Sequence, residues 1–230
     1  MYATLRGNGL KNNEIFDLKS EFNRDNCFEP YFRLRNRLLE SGIILNTADL
    51  NRSKNVAFEL HQDFQVTSST KKNYLLMFET DLILPENGKI NDMDRYRRVF
   101  TWRDDLLDQK HFFKINFPNQ LSTPIINDFQ SRDKFCCLIA GNKGIKKSDP
   151  RNLYPERISA IRWFEVNAKG DFDLYGSGWK LPAKRSGVLG RAVNLLARLI
   201  YPHLNLTAFP SYRGMLKNKS DVLRHTRFAI

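Results

Sequence analysis

Short unbroken apolar runs alternate along this chain with apolar residues at helical spacing, the pattern of an α/β fold. Phe135, Cys136, Cys137, Leu138, Ile139 and Ala140 form one such run, suited to a parallel strand covered on both faces. Gly141 and Asn142 break it, and a basic loop with Lys143, Lys146 and Lys147 leads to Asp149-Pro150. Pro155 is placed to open a helix, because the N–H it lacks would be unpaired there anyway. Ile158, Ile161 and Phe164 continue at helical spacing with Glu165 near the end. Gly170 closes the turn, Phe172–Tyr175 reads as the next strand, and Gly176-Ser177-Gly178 lets the backbone turn sharply.

The N-terminal half carries weaker signals. Residues 1–26 are polar and predict a loose start. Tyr31, Leu34, Leu38 and Leu39 keep helical spacing from Pro30 until Gly42 ends the helix. The stretches 43–47, Val56–His61 and Tyr74–Phe78 then read as strands. For "DRYRRVFTWRDDLLD" and "HFFKINFPNQ" a family resemblance, set out below, implies a helix, a strand over Arg98–Trp102 and a further strand. The polar segment Gln120–Lys134, with Pro124, reads as a linker, dividing the chain into domains 1–122 and 123–230. Beyond Trp179, Val188, Leu189, Val193, Leu196, Leu199 and Ile200 line one side of a helix, with Arg191 and Arg198 elsewhere. A core-facing helix is the expectation and a membrane-surface helix the alternative. Ser220 is expected to cap a helix over Asp221–His225, after which "RFAI" begins an apolar strand and ends the chain.

With 230 residues, 41% hydrophobic and 12% aromatic, the chain has ample material for one or two cores and is not a disordered segment. Its net charge of +12 suits an anionic ligand: nucleotide, nucleic acid or membrane surface. Three cysteines, Cys27, Cys136 and Cys137, make no disulfide framework, and no Cys/His cluster has zinc-like spacing. His61, His111, His203 and His225 are far apart and read as structural. The N-terminus has no apolar signal region and no run reaches about 18 apolar residues, so a soluble cytoplasmic protein without a transmembrane segment is expected.

Two residues stand out chemically. Arg157 places a cation in the first turn of a helix, against the macrodipole, which becomes favourable when an anion sits there too; a solvated Arg beside Glu156 is the competing reading. Glu79 follows the Tyr74–Phe78 strand, at the carboxyl end where ligands bind in open α/β sheets. Asp81 and Glu86 are its rivals, and an exposed Glu at a strand end is the plain alternative.

The succession Phe135–Asn142, Arg157, "DFDLYGSGW" and then Tyr212, Arg213, Gly214, Lys219, Leu223 and Phe228 resembles the donor domain of the alpha-1,3-fucosyltransferases. Gly141-Asn142 stands where the family has Ser-Asn. Glu79-Thr80-Asp81 corresponds to the family's Glu-Ser-Pro, with Pro85 displaced, and "RRVFTW" to its strand of similar sequence. The resemblance runs from about Glu29 to Ile230. It implies two Rossmann-like domains of GT-B type, an acceptor-side domain followed by a GDP-sugar-binding one. It also implies a second domain left incomplete, because the family's Cys-x-Glu-Asn and Thr-Glu-Lys segments are absent.

The implied activity is inverting, metal-independent transfer of fucose from GDP-fucose to an oligosaccharide acceptor, without a cofactor. The implied general base is Glu79, and the implied donor-binding residues are Asn142, Arg157, Tyr212 and Lys219. The Asp-x-Asp sequences Asp92–Asp94 and Asp171–Asp173 are not assigned to a metal. Lacking a Golgi anchor, such a protein would be of bacterial or viral type; its activity is open because the donor-site motifs are missing, and homo-oligomerisation is also open. Nucleic acid is not an expected partner under this reading. The alternatives are a noncatalytic basic nucleic-acid-binding protein, supported by the charge and the interleaved aromatics, and an inactive piece of a split or degraded gene.

Overall fold

The computed structural model describes residues 1–65, 72–116, 129–145, 149–185, 187–204 and 206–230. Lys146, Lys147, the sequon residue Asn205 and most of the Gln120–Lys134 segment lie outside these. The chain forms two compact units, Met1–Ser122 and Thr123–Ile230. Each is built on a parallel sheet, so the class is α/β.

Unit 1 holds a six-stranded sheet. Its strands are β1 (Tyr2–Arg6), β2 (Ile44–Thr47), β3 (Val56–Gln62), β4 (Lys72–Met77), β5 (Arg98–Thr101) and β6 (Phe112–Lys114), and it carries the α-helix α1 (Glu29–Glu40). The strand order is β2-β1-β3-β4-β5-β6, every neighbouring pair parallel. Alternation along the strands splits the core in two. Ala3, Leu5, Leu45 and Leu60 pack beneath Tyr31, Leu34 and Leu38 of α1. On the other face Leu75, Met77 and Val99 pack with Met93 and Tyr96 from the 3-10 segment Ile90–Arg95 and its exit. That segment, where the resemblance implies a helix, is a 3-10 helix.

The loose start expected for residues 1–26 is overturned. β1 pairs with β2 on one side and β3 on the other, and Ala3 and Leu5 are fully buried. Ile15 and Phe16 are buried as well. Two apolar residues in alternation suffice for a central strand when its neighbours supply the rest of the face, and so short a signal vanishes among polar flanks.

The opposite face of β1 and β3 carries a charged row. Arg6 forms a two-pronged ion pair with the buried Glu59, Nε to Oε2 at 2.7 Å and Nη2 to Oε1 at 2.8 Å. The wholly buried His61 ring lies 3.3 Å from Oε2 by its Nε2, outside good hydrogen-bond geometry. Burial by itself would raise the Glu59 carboxyl, but the adjoining His61 ring and the Arg6 fork pull it down to about 2. A carboxyl depressed in the folded state stabilises above its unfolded pKa and loses that contribution as pH falls through the folded value. Stability measured by urea unfolding is therefore expected to fall between about pH 4.5 and about pH 2. Glu59→Gln should flatten the curve in that window; an unchanged curve rules out this ion pair as the source.

Unit 2 holds a four-stranded sheet in the order β10-β7-β8-β9, again parallel throughout. Its elements are β7 (Lys134–Ile139), α2 (Tyr154–Asn167), β8 (Phe172–Tyr175), α3 (Gly187–His203), β9 (Tyr212–Gly214), α4 (Lys219–Leu223) and β10 (Thr226–Ala229). Cys136, Leu138, Phe172 and Leu174 meet Ile161, flanked by Ile158 and Phe164, so the helical spacing of α2 packs as the sequence implied. Phe164 and Phe172 stack with ring centres 4.8 Å apart.

Two expectations fail here. Asn218 and not Ser220 caps α4, its side chain accepting from the Ser220 N–H, so the helix starts two residues early. And α3 does not turn its apolar side to the core: Val188, Leu189, Leu195, Leu196 and Leu199 are all more than half exposed, and Gly190 is its one buried residue.

Candidate functional site

Because the strands of unit 2 are parallel, their carboxyl ends share one edge, where Ala140-Gly141-Asn142 leaves β7 and Gly176–Trp179 leaves β8. Gly176 has φ 126°, and a Cβ there would stand 2.0 Å from the carbonyl oxygen of Ala140. Only glycine lets the two chain ends touch this way. The Trp179 ring, almost wholly buried, lies against Phe209 and donates from Nε1 to the same Ala140 oxygen at 2.5 Å.

Asn142 is the organiser of this edge. Its Nδ2 donates to the carbonyls of Gly178, Leu181 and Pro182 at 2.9 to 3.2 Å, and its Oδ1 accepts from the Lys184 N–H at 3.3 Å. Its own N–H donates to Ser177. The residue expected to touch a donor therefore turns its amide inward and folds the loop 178–184 back onto β7.

That loop closes one side of a cavity of about 600 Å³ whose other side is the head of α2. Among the described residues the cavity is lined by Lys143, Tyr154, Ile158, Arg162, Lys184 and Arg185 with others, and by no Asp or Glu. Arg162 is held by Glu165 at 2.5 Å and lies over the Phe209 ring, so Lys143, Lys184 and Arg185 carry the positive potential. At the start of α2 the Asn152 side chain accepts from the Tyr154 N–H at 3.0 Å, and Pro155 has no N–H to offer. The first turn thus adds its helix dipole to a cationic hollow, which suits an anion.

Arg157, on the same helix, is half-buried and is not among the residues that line this cavity. Its Nη1 donates to the Gly141 carbonyl at 3.4 Å, and its guanidinium lies 5.2 Å from the centre of the Tyr154 ring. Arg157 and Asn142 thus meet at the end of β7. The other two expected donor residues stand elsewhere on the sheet. Tyr212, on β9 at one edge, packs its ring on the core. Its neighbour Arg213 donates to the buried Asp173 at 2.6 Å, with Lys134 3.7 Å from the other carboxylate oxygen. Lys219 is exposed at the start of α4, which packs on β10 at the other edge.

In unit 1 the side chain of Glu79 is exposed two residues past β4, while its backbone is held on both sides. Its N–H donates to Asp63 Oδ1 at 2.9 Å and its carbonyl accepts from Asn87 Nδ2 at 2.8 Å. The same Asp63 oxygen accepts from the Phe78 N–H and from Asn87 Nδ2, and Asn87 Oδ1 accepts from the Phe64 N–H. Asp63 does this at φ 59°, a left-handed conformation that Asp tolerates better than most residues. Asp81 and Glu86 are half-buried in the following turns.

Sequence reasoning missed Asp63 and Asn87, as well as Lys184 and Arg185. An Asp directly after a strand is the only hint the first pair offers.

Among the described residues no group of three His, Cys, Asp or Glu side chains is arranged to hold a metal ion, and no helix is long and apolar enough to cross a membrane. No protein-family model matches the chain, and no curated protein matches it in a sequence search.

Proposed function

We propose that the chain is a glycosyltransferase of GT-B type that moves fucose from GDP-fucose to a glycan hydroxyl with inversion. One observation carries the donor half of this reading: the cavity at the head of α2, lined by Lys143, Lys184 and Arg185 and, among the described residues, by no Asp or Glu. A diphosphate leaving group gains negative charge as its bond to the sugar breaks, and fixed cations stabilise that charge. In this reading Arg157 and the three cavity cations meet the diphosphate, and Lys219 adds the cation the family resemblance assigns. Asn142 and Tyr212 act one step back, the first by folding the cavity wall and the second by packing β9.

The acceptor half rests on Glu79. Its carboxylate takes the proton of the acceptor hydroxyl while that oxygen forms the new bond to the anomeric carbon. The bond from that carbon to the diphosphate oxygen breaks, and GDP leaves with the electron pair. A carboxylate at the carboxyl end of a parallel strand, with its backbone clamped by Asp63 and Asn87, supports this role.

The test is thermal. At GDP concentrations near a hundred times the dissociation constant, binding adds about 2.7 kcal/mol, a rise of several degrees in Tm. Arg157→Ala and Lys184→Ala should each remove most of the rise while leaving the ligand-free Tm within a few degrees of wild type. A wild-type protein indifferent to millimolar GDP overturns the donor-site reading.

A further inference from the structure

α3 is an amphipathic helix mounted with its apolar side out. Gly190, Val193, Asn194, Ala197 and Tyr201 face the body of unit 2, buried or half-buried. Two contacts fix that rotation. A Cβ on Gly190 would come within 2.8 Å of the Arg185 backbone, so the helix approaches there as closely as glycine permits. Asn194 then clasps the same residue in both directions, Oδ1 accepting from the Arg185 N–H at 3.0 Å and Nδ2 donating to its carbonyl at 2.9 Å. The outward arc is Val188, Leu189, Leu195, Leu196, Leu199 and Ile200, between 46% and 83% exposed.

Charge says what covers it. Arg191 and Arg198, both exposed and seven residues apart, stand along one border of the apolar arc, between it and the body-facing side. From Leu174 to Ser220 the sequence has eight Lys and Arg and no Asp or Glu. An apolar stripe bordered by guanidinium groups in a carboxylate-free segment is complementary to an anionic lipid surface: the leucines enter the acyl boundary and the arginines meet the phosphates.

We infer that α3 docks unit 2 on the surface of an anionic phospholipid membrane, lying in the plane of the interface. This stands apart from the donor site, since none of its outward residues lines that cavity.

Vesicle flotation of the full chain tests it, with phosphatidylcholine vesicles and with phosphatidylcholine–phosphatidylglycerol vesicles. The protein should float with the mixed vesicles, far less with the neutral ones, and lose binding as salt rises. Leu196→Glu with Leu199→Glu should lower partition by about tenfold or more, because two buried leucines are replaced by charges the lipid repels. These positions are solvent-facing, so the far-ultraviolet dichroism and Tm should not change. Arg191→Gln with Arg198→Gln should remove the preference for phosphatidylglycerol. No flotation with mixed vesicles, or equal flotation of the Glu variant, overturns the inference. So does a lipid-free dimer that the Glu variant dissociates, since the face would then be a contact between copies of this chain.

Discussion

Gly176→Ala is expected to leave unit 2 unable to complete its fold. The added Cβ would sit 2.0 Å from the Ala140 oxygen and 2.6 Å from its carbon, and both are backbone atoms that no rotamer change can move aside. The backbone conformation, at φ 126°, is itself one that alanine resists. Relief requires β8 to draw away from β7 at their carboxyl ends. That breaks the Ala140 N–H to Tyr175 bond at 3.0 Å, the Asn142 N–H to Ser177 bond at 2.8 Å and the Trp179 contact to Ala140, and it opens the wall around the buried Trp179 ring. Losses of this kind sum to about 4 kcal/mol or more, a large part of a domain's whole stability. Gly170→Ala is the control. It also has positive φ, at 90°, but nothing lies within 4 Å of its Cβ position, so it should cost only about 1 kcal/mol. Urea unfolding followed by tryptophan fluorescence separates them. Equal midpoints for the two variants would mean that the β7–β8 junction tolerates separation and that the clash is not decisive.

Parts of this junction were legible in the sequence and parts were not, for physical reasons. The runs that became β4 and β7 are visible because strands buried on both faces call for apolar residues without interruption. The Gly176-Ser177-Gly178 turn is visible because glycine announces backbone freedom. β1 was not, since its buried side is only Ala3 and Leu5 and a parallel strand depends on partners distant in the chain. The period of α3 was plain, but hydropathy does not say which side faces in; Gly190 and Asn194 decide that through backbone contacts with Arg185. At the candidate site, the place of Arg157 at the end of β7 followed from strand–loop–helix order. The cavity cations Lys184 and Arg185 did not, because they arrive on a returning loop whose course is set by one inward-turned amide, that of Asn142.

Glu79→Ala is expected to reduce fucosyl transfer by about 10² to 10⁴, equal to roughly 3 to 5 kcal/mol of transition-state stabilisation, with the GDP-induced Tm rise intact. The fold should hold because the Glu79 side chain is exposed and the bonds fixing its position use its backbone N–H and carbonyl, which alanine retains. Glu79→Gln should lose as much, since the amide fills the same space but takes no proton. Asp63→Ala should behave differently. It removes the oxygen that accepts from Phe78, Glu79 and Asn87, leaving three donors to find water or stay unpaired, at about 1 to 3 kcal/mol. It should therefore lower both Tm and turnover, whereas the Glu79 variants lower turnover alone. The measurement is product formation from GDP-fucose at matched folded fractions, with a panel of glycan hydroxyl acceptors. Wild-type turnover in Glu79→Gln would remove Glu79 as the base and pass the role to Asp81 or Glu86, which stand in the turns directly after it.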